Sequence, residues 1–145
     1  MILKTYDAFT RLSTMEAMRL TDFLYDHLDG YAASRKSVLR AIQYSTKEIP
    51  GLGGYVFVAE KNDELIGAVI INKTGMGDYI TENHLVFIAV HRSHRNQGVG
   101  KKLMRYALAY CKGTIALHSK PMDKAMALFK SLGFYAEYVE MRLQN

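Results

Sequence analysis

One cysteine, two prolines and no tryptophan stand in these 145 residues. A lone cysteine, Cys111, excludes an internal disulfide, so a reducing cytoplasm suits this chain better than an oxidising compartment. Cys111 ends an amphipathic run, where a small buried filler is expected rather than a nucleophile. No apolar run approaches the roughly 20 residues of a membrane-spanning helix, and Met1 onward shows no signal-peptide pattern. Repeats, low-complexity tracts and linkers are lacking as well. The aromatics are not interleaved with the lysines and arginines in a stacking pattern, so nucleic acid is not the expected partner. The net charge of +5 is explained as well by a small polyanionic ligand.

Apolar residues make up 49% and charged residues 23%, the balance of a globular domain with a real core, and one domain over 1–145 is expected. Met1 to Tyr6 reads as a strand. Ser13-Thr14-Met15-Glu16 has capping-box spacing before a periodic run of Ala17, Leu20, Phe23, Leu24 and Leu28, with Gly30 as the stop. Ser34 caps a second helix whose apolar side is Val38, Ala41, Ile42 and Ile49, ended by Pro50-Gly51. Tyr55 to Glu60 and Leu65 to Asn72 form a hairpin over the polar turn Lys61 to Glu64. Lys73 to Asn83, with Gly75 and Gly77, reads as loop or a frayed strand end. Thr114 to His118 is a short strand, Pro121 or Asp123 opens a last helix through Ala125, Phe129 and Leu132 to Gly133, and Phe134 to Leu143 is the closing strand.

Between these pieces lies His84 to Met104, HLVFIAVHRSHRNQGVGKKLM. Leu85 to Val90 is an apolar, β-branched and aromatic strand. His91 to Gln97 is polar, basic and turn-like. From Gly98 the spacing becomes helical, with Val99, Leu103, Ala107 and Tyr110 on one stripe. A strand thus runs through a basic glycine loop into a helix N-terminus, where unpaired N–H groups and the helix dipole favour an anion. Gly98 and Gly100 let a phosphate approach the backbone, and Arg95, Lys101 and Lys102 add full charges.

The loop is neither a dinucleotide G-x-G-x-x-G nor a nucleotide P-loop. Arg95-Asn96-Gln97-Gly98-Val99-Gly100, an R-x-x-G-x-G directly after an apolar strand, resembles the acetyl-CoA-binding motif of the Gcn5-related N-acetyltransferase (GNAT) superfamily. The resemblance implies that acetyl-CoA is the cofactor. It assigns the pyrophosphate to Arg95, Asn96, Gln97, Gly98, Val99, Gly100 and Lys101, and the pantetheine arm to the backbone of Ile88, Ala89 and Val90. It also fits the order β-α-α-β-β-β-α-β-α-β over nearly the whole chain. That order gives an α+β fold, a mixed and mostly antiparallel sheet of about six or seven strands flanked by four helices.

The implied reaction moves an acetyl group to an amine by direct attack. An amine near neutral pH is mostly protonated, so a base is required, and the oxyanion needs a fixed donor, for which an N–H near Ile88 to Val90 is placed. His84 and Glu82 are the candidate bases. They share a strand face by the two-residue period, and His84 aligns with the glutamate base of the histone-acetylating branch; a water chain is the third possibility. Where many family members carry a tyrosine acid, four residues before Gly133, this chain has Phe129, read as core. Asp123 stands where asparagine is frequent. Tyr25, Asp26, His27, Asp29, Tyr31 and Arg35 offer groups for an acceptor site, although each also suits a solvated helix end. A small-molecule amine is expected before a protein one, with protein-lysine acetylation or acetyl-CoA binding without turnover as alternatives. No metal and no membrane partner is expected, and a homodimer stays open.

Overall fold

The computed structural model describes residues 1–29, 34–120 and 123–145. Five strands form one sheet in chain order: β1 (Ile2–Tyr6), β2 (Gly54–Lys61), β3 (Glu64–Lys73), β4 (Asn83–Val90) and β5 (Ile115–Leu117). The first four pair antiparallel and β5 joins β4 in parallel. Four helices complete the described elements: α1 (Thr14–His27), α2 (Arg35–Ser45), α3 (Val99–Tyr110) and α4 (Ala125–Ser131). The α+β class with a mixed, mostly antiparallel sheet and four helices is therefore observed.

Local chemistry accounts for the helix ends. Ser13 and Glu16 close a reciprocal capping box on α1, which satisfies two N–H groups that the helix itself leaves unpaired. The Ser34 side chain accepts from the Ser37 N–H and starts α2. That helix stops at Ser45, short of Ile49, because side chains take over its last carbonyls: Ser45 Oγ donates to the Ala41 carbonyl at 2.9 Å and Thr46 Oγ1 to the Ile42 carbonyl at 3.2 Å. Gly30 and Pro121 lie outside the described residues, so their expected roles as helix stop and helix start do too.

Two apolar layers hold the sheet. Leu20, Leu24, Val38 and Ile42 of α1 and α2 pack on Val56, Val58, Ala68 and Ile70. On the other face Val99, Leu103, Met104 and Ala107 of α3 pack on Phe57, Val69, Ile71 and Leu85. The alternation along β2, β3 and β4 feeds both layers, as the two-residue period of a strand buried on both faces requires. Leu103 and Met104 are fully covered, and each such side chain contributes about 1.5–3 kcal/mol. Gly67 on β3 lets α3 sit close, since a Cβ there would stand 3.1 Å from Leu103.

The closing strand expected over Phe134 to Leu143 does not form, so the described sheet has five strands rather than six or seven. Tyr135, Tyr138, Val139, Met141 and Leu143 are all more than three-quarters exposed. β5 is only three residues long and offers too short an edge to template a ten-residue partner. Lys73 still belongs to β3 and Asn83 begins β4; between them Thr74 to Glu82 is loop as expected, apart from a short 3₁₀ turn at Gly77–Tyr79.

Candidate functional site

The site begins with the way β4 parts from β5. The two strands pair only at Asn83–Ile115, His84–Ala116 and Leu85–Leu117. At that point β4 carries a bulge: Ile71 faces Leu85 and Ile70 faces Phe87, so Val86 is the extra residue. A bulge bends its strand and strengthens the twist. Beyond it Phe87 to Val90 stay on β3 while their outer edge has no strand partner among the described residues. The His91 N–H donates to the Ile66 carbonyl across the β3 ladder. Alternation along an antiparallel pair then turns the N–H groups of Ile88 and Val90 to the open edge.

The open edge leads to the start of α3. Gly98 caps the helix at φ 80°, ψ 7° without any side-chain cap, a left-handed conformation that suits glycine. The first turn-closing bond runs from the Lys102 N–H to the Gly98 carbonyl at 3.1 Å, which leaves the N–H groups of Val99, Gly100 and Lys101 without intrahelical partners. Apart from Gly98 itself and its two chain neighbours, no atom of the described residues lies within 4 Å of the place a Cβ on Gly98 would take. Gly100, by contrast, faces inward, toward Leu128 and Val90 at 3.4 Å. Lys101 and Lys102 form no ion pair among the described residues. Free donors, open space and two free charges at one helix start fit a diphosphate. The open amides of β4 fit an extended, amide-bearing arm.

The Arg95 side chain is engaged by the protein itself. Its Nε donates to the Val90 carbonyl at 3.0 Å, one terminal nitrogen donates to the His27 carbonyl at 2.8 Å, and the other meets Asp29 at 2.6 Å. Arg92 meets the same carboxylate at 2.9 Å, and its N–H donates to Nδ1 of His27 at 3.3 Å. His27 also stacks on His91, ring centroids 4.2 Å apart. The loop is thus fastened to the end of α1, and Asn96, at φ 61°, completes its tight turn. Gln97 turns back on the Ser93 carbonyl at 3.4 Å. Burial first, then the charges of His91 and Arg92, hold His27 below the usual histidine range, as its acceptor role demands. Asp29 and His27, offered by the sequence as acceptor-site groups, are engaged here with the loop. Arg35 pairs with Asp22 and covers the Tyr25 ring at 4.9 Å, and Tyr31 lies outside the described residues.

His84 and Glu82 are brought to the same strand start but to different tasks. Glu82 is exposed, and its carboxylate accepts the Thr114 N–H at the head of β5. Gly113 makes that possible, because a Cβ there would fall 2.2 Å from a Glu82 carboxylate oxygen. Glu82 also borders an open hollow of about 560 Å³ with Tyr55, Lys73 and Tyr110, at the far end of α3 from Gly98. His84 lies half-buried, just before the bulge, and its ring meets that of His118 edge to face at 4.7 Å. Burial, then the neighbouring His118, pushes its basicity below the ordinary histidine value, while Glu140 pulls the other way. Phe129 is 5% exposed and packs on Phe134. Cys111 is half-buried, and burial pushes its thiol up to about 11, the opposite of what a thiolate nucleophile needs. The pairs His84–His118 and Asp29–Arg95 carry no signal in sequence spacing; they come from elements far apart in the chain.

The sequence profile described as "Acetyltransferase (GNAT) family" matches residues 17–134. No curated protein matches the chain in sequence. Among solved structures, a ribosomal-protein-alanine N-acetyltransferase from Brucella melitensis biovar Abortus 2308 superposes with a TM-score of 0.69 at 14% identity, covering 100% of both chains. An aminoglycoside 6'-N-acetyltransferase from Acinetobacter haemolyticus gives 0.69 at 18% identity, over 100% of this chain and 98% of the other. AAC(6')-Iy in complex with a CoA bisubstrate analogue gives 0.70 at 16% identity, over 100% and 99%. At such identities the likeness is one of fold. No helix of the described residues is long and apolar enough to cross a membrane.

Proposed function

Because the chain belongs to the acetyltransferase (GNAT) family, and is an acetyl-CoA-dependent N-acetyltransferase, we propose that its acceptor is an amine on a small molecule and that His84 is the base. The observation that carries this reading is the open edge of β4. It leads from Ile88 and Val90 into the free N–H groups at Gly98 to Lys101, with His84 set at the other end of the same strand.

Acetyl-CoA, when bound, supplies the acetyl group as a thioester. The residues from Asn96 to Lys101 would hold its pyrophosphate, with Arg95 keeping their loop in place. The backbone of Ile88, Ala89 and Val90 would pair with the arm. One outward N–H of the Ile88 to Val90 stretch would be the donor for the developing oxyanion, held in place by the ladder to β3 and needing no reorganisation. His84 takes the proton from the acceptor ammonium and frees its nitrogen to attack. Its lowered basicity keeps it neutral, and so competent, at neutral pH. Glu82 is the weaker candidate, since its carboxylate is spent on the Thr114 N–H. Departure of the thiolate needs no full protonation, a thiol pKa being near ~8.5, which suits a site with Phe129 where a tyrosine acid is common.

His118 and Glu140 crowd one side of His84, and a recessed base suits a compact amine better than a polypeptide. The aminoglycoside acetyltransferases of this fold act on such amines. The single Cys111 suits a cytoplasmic enzyme, with no nucleic acid as partner. Mass spectrometry of acetyl-CoA incubations with polyamines, aminoglycosides, amino acids and lysine peptides tests this. Acetylated small amines are expected; acetylation of the peptides alone would overturn the acceptor class.

A further inference from the structure

Beyond β5 the chain turns through His118, whose ring meets the His84 ring with centroids 4.7 Å apart and planes at 70°. On its other side Nε2 of His118 lies 3.4 Å from Oε1 of Glu140. Glu140 belongs to the C-terminal segment, which forms no ladder and is otherwise exposed. Arg142 donates to both Glu140 oxygens at 2.9 and 3.1 Å and fixes that carboxylate. Among the described residues, Glu140–His118 is the one ion pair that ties residues 135–145 to the sheet. It falls on the ring packed against His84.

We propose that Glu140 and His118 are positioning residues of the transfer site: the carboxylate holds the His118 ring, and that ring fixes the His84 imidazole at the head of β4. The inference rests on His84 as the base. An edge-to-face pair has a preferred geometry, so a held His118 limits the rotation of the ring that must aim its lone pair at the ammonium. In the step itself an N–H bond of the ammonium breaks and an imidazole N–H bond forms; the freed electron pair would form the C–N bond to the acetyl carbon as the C–S bond breaks, the nitrogen's second proton would pass through water to the departing thiolate, and His84 returns its own proton to water.

The same contact sets the working pH. The titratable groups facing His84 are His118, from the turn after β5, and Glu140, from the C-terminal segment; opposite it on β3 stands the neutral Asn72. His118 lowers the basicity of His84 and Glu140 raises it. The two substitutions that remove these groups should therefore move the acid limb in opposite directions, which loss of packing alone does not do.

The test is kcat/KM against pH, with an accepted amine, for wild type, Glu140→Gln, Glu140→Asp, His118→Phe and His84→Ala. Both positioning side chains are about half exposed or more, so these variants should keep the wild-type melting temperature. The limb should shift to lower pH in Glu140→Gln and to higher pH in His118→Phe. Each should lose on the order of tenfold in kcat, with acetyl-CoA KM unchanged and Glu140→Asp recovering part of the loss. If His84→Ala abolishes the limb while the other variants leave it in place, or move it in one direction, the positioning role is wrong and the base assignment stands. A limb that survives His84→Ala removes the base and this inference together.

Discussion

Asp29, next to the end of α1, holds Arg95 at 2.6 Å and Arg92 at 2.9 Å, so one carboxylate fastens both arginines of the loop that leads into α3. The two guanidiniums, Arg95 first, keep its carboxyl below the usual range. A depressed carboxyl contributes stability that is full above its unfolded value near ~3.9 and is lost as pH falls through the lower folded value. Near neutral pH the clamp is therefore intact. Asp29→Asn should loosen the loop and weaken coenzyme A. The pair is nearly half exposed, so the cost should be about 1 kcal/mol or less, up to about fivefold in Kd. Calorimetry giving an unchanged Kd would show that the loop does not need the clamp.

Gly98 offers a sharper test of the anion site. Its φ of 80° disfavours any side chain by roughly 1–2 kcal/mol, and the space around it is open. Gly98→Ala should lower stability slightly and keep measurable binding. Gly98→Glu should abolish acetyl-CoA binding in a folded protein, by charge and bulk together. Circular dichroism establishes the fold, and a Gly98→Glu protein that binds normally would place the cofactor elsewhere.

Lys101 and Arg95 should separate by ligand. If Lys101 meets phosphate directly, Lys101→Ala should cost coenzyme A on the order of 1–3 kcal/mol and leave a pantetheine thioester nearly unaffected. Arg95→Ala should weaken coenzyme A too, through the loop. It also releases the Val90 carbonyl, so part of the loss should extend to the pantetheine thioester. Equal losses for both ligands in Lys101→Ala would mean that Lys101 does not read phosphate.

The pH dependence of turnover reports on His84. Burial and His118 lower its basicity, so the acid limb of kcat/KM should lie below the ordinary histidine value near ~6.5, with activity present above the limb and lost as pH falls through it. His84→Ala should cut the rate by roughly 10²-fold or more with acetyl-CoA affinity kept, and His84→Glu should retain part of it. A wild-type rate and limb in His84→Ala would point to Glu82 or to water.

Phe129 predicts a stability effect rather than a chemical one. It is buried against Phe134, so Phe129→Ala should cost about 3–5 kcal/mol. Phe129→Tyr should leave kcat nearly unchanged. A rise in kcat with the introduced hydroxyl would show that the site lacks an acid it could use.

The sequence by itself determined whatever depends on neighbours in the chain. The capping box at Ser13, the hairpin over Lys61 to Glu64, the change from strand to helix periodicity at Gly98 and the R-x-x-G-x-G loop are all local patterns, set by backbone sterics and by which face must be buried. They were enough to indicate the fold class and the helix that starts at Gly98 with its first N–H groups unpaired. Only the tertiary structure decided what those patterns are joined to. Arg95, a phosphate ligand by its place in the motif, spends its guanidinium on Asp29, His27 and Val90. Glu82, equal to His84 by strand period, is held by Thr114. The strand-like Phe134 to Leu143 finds no ladder beside three-residue β5, and meets the His118 ring through Glu140 instead. Each outcome turns on a partner brought from a distant element, and a donor, charge or edge takes the partner that the packed core leaves within reach, not the one its spacing suggests.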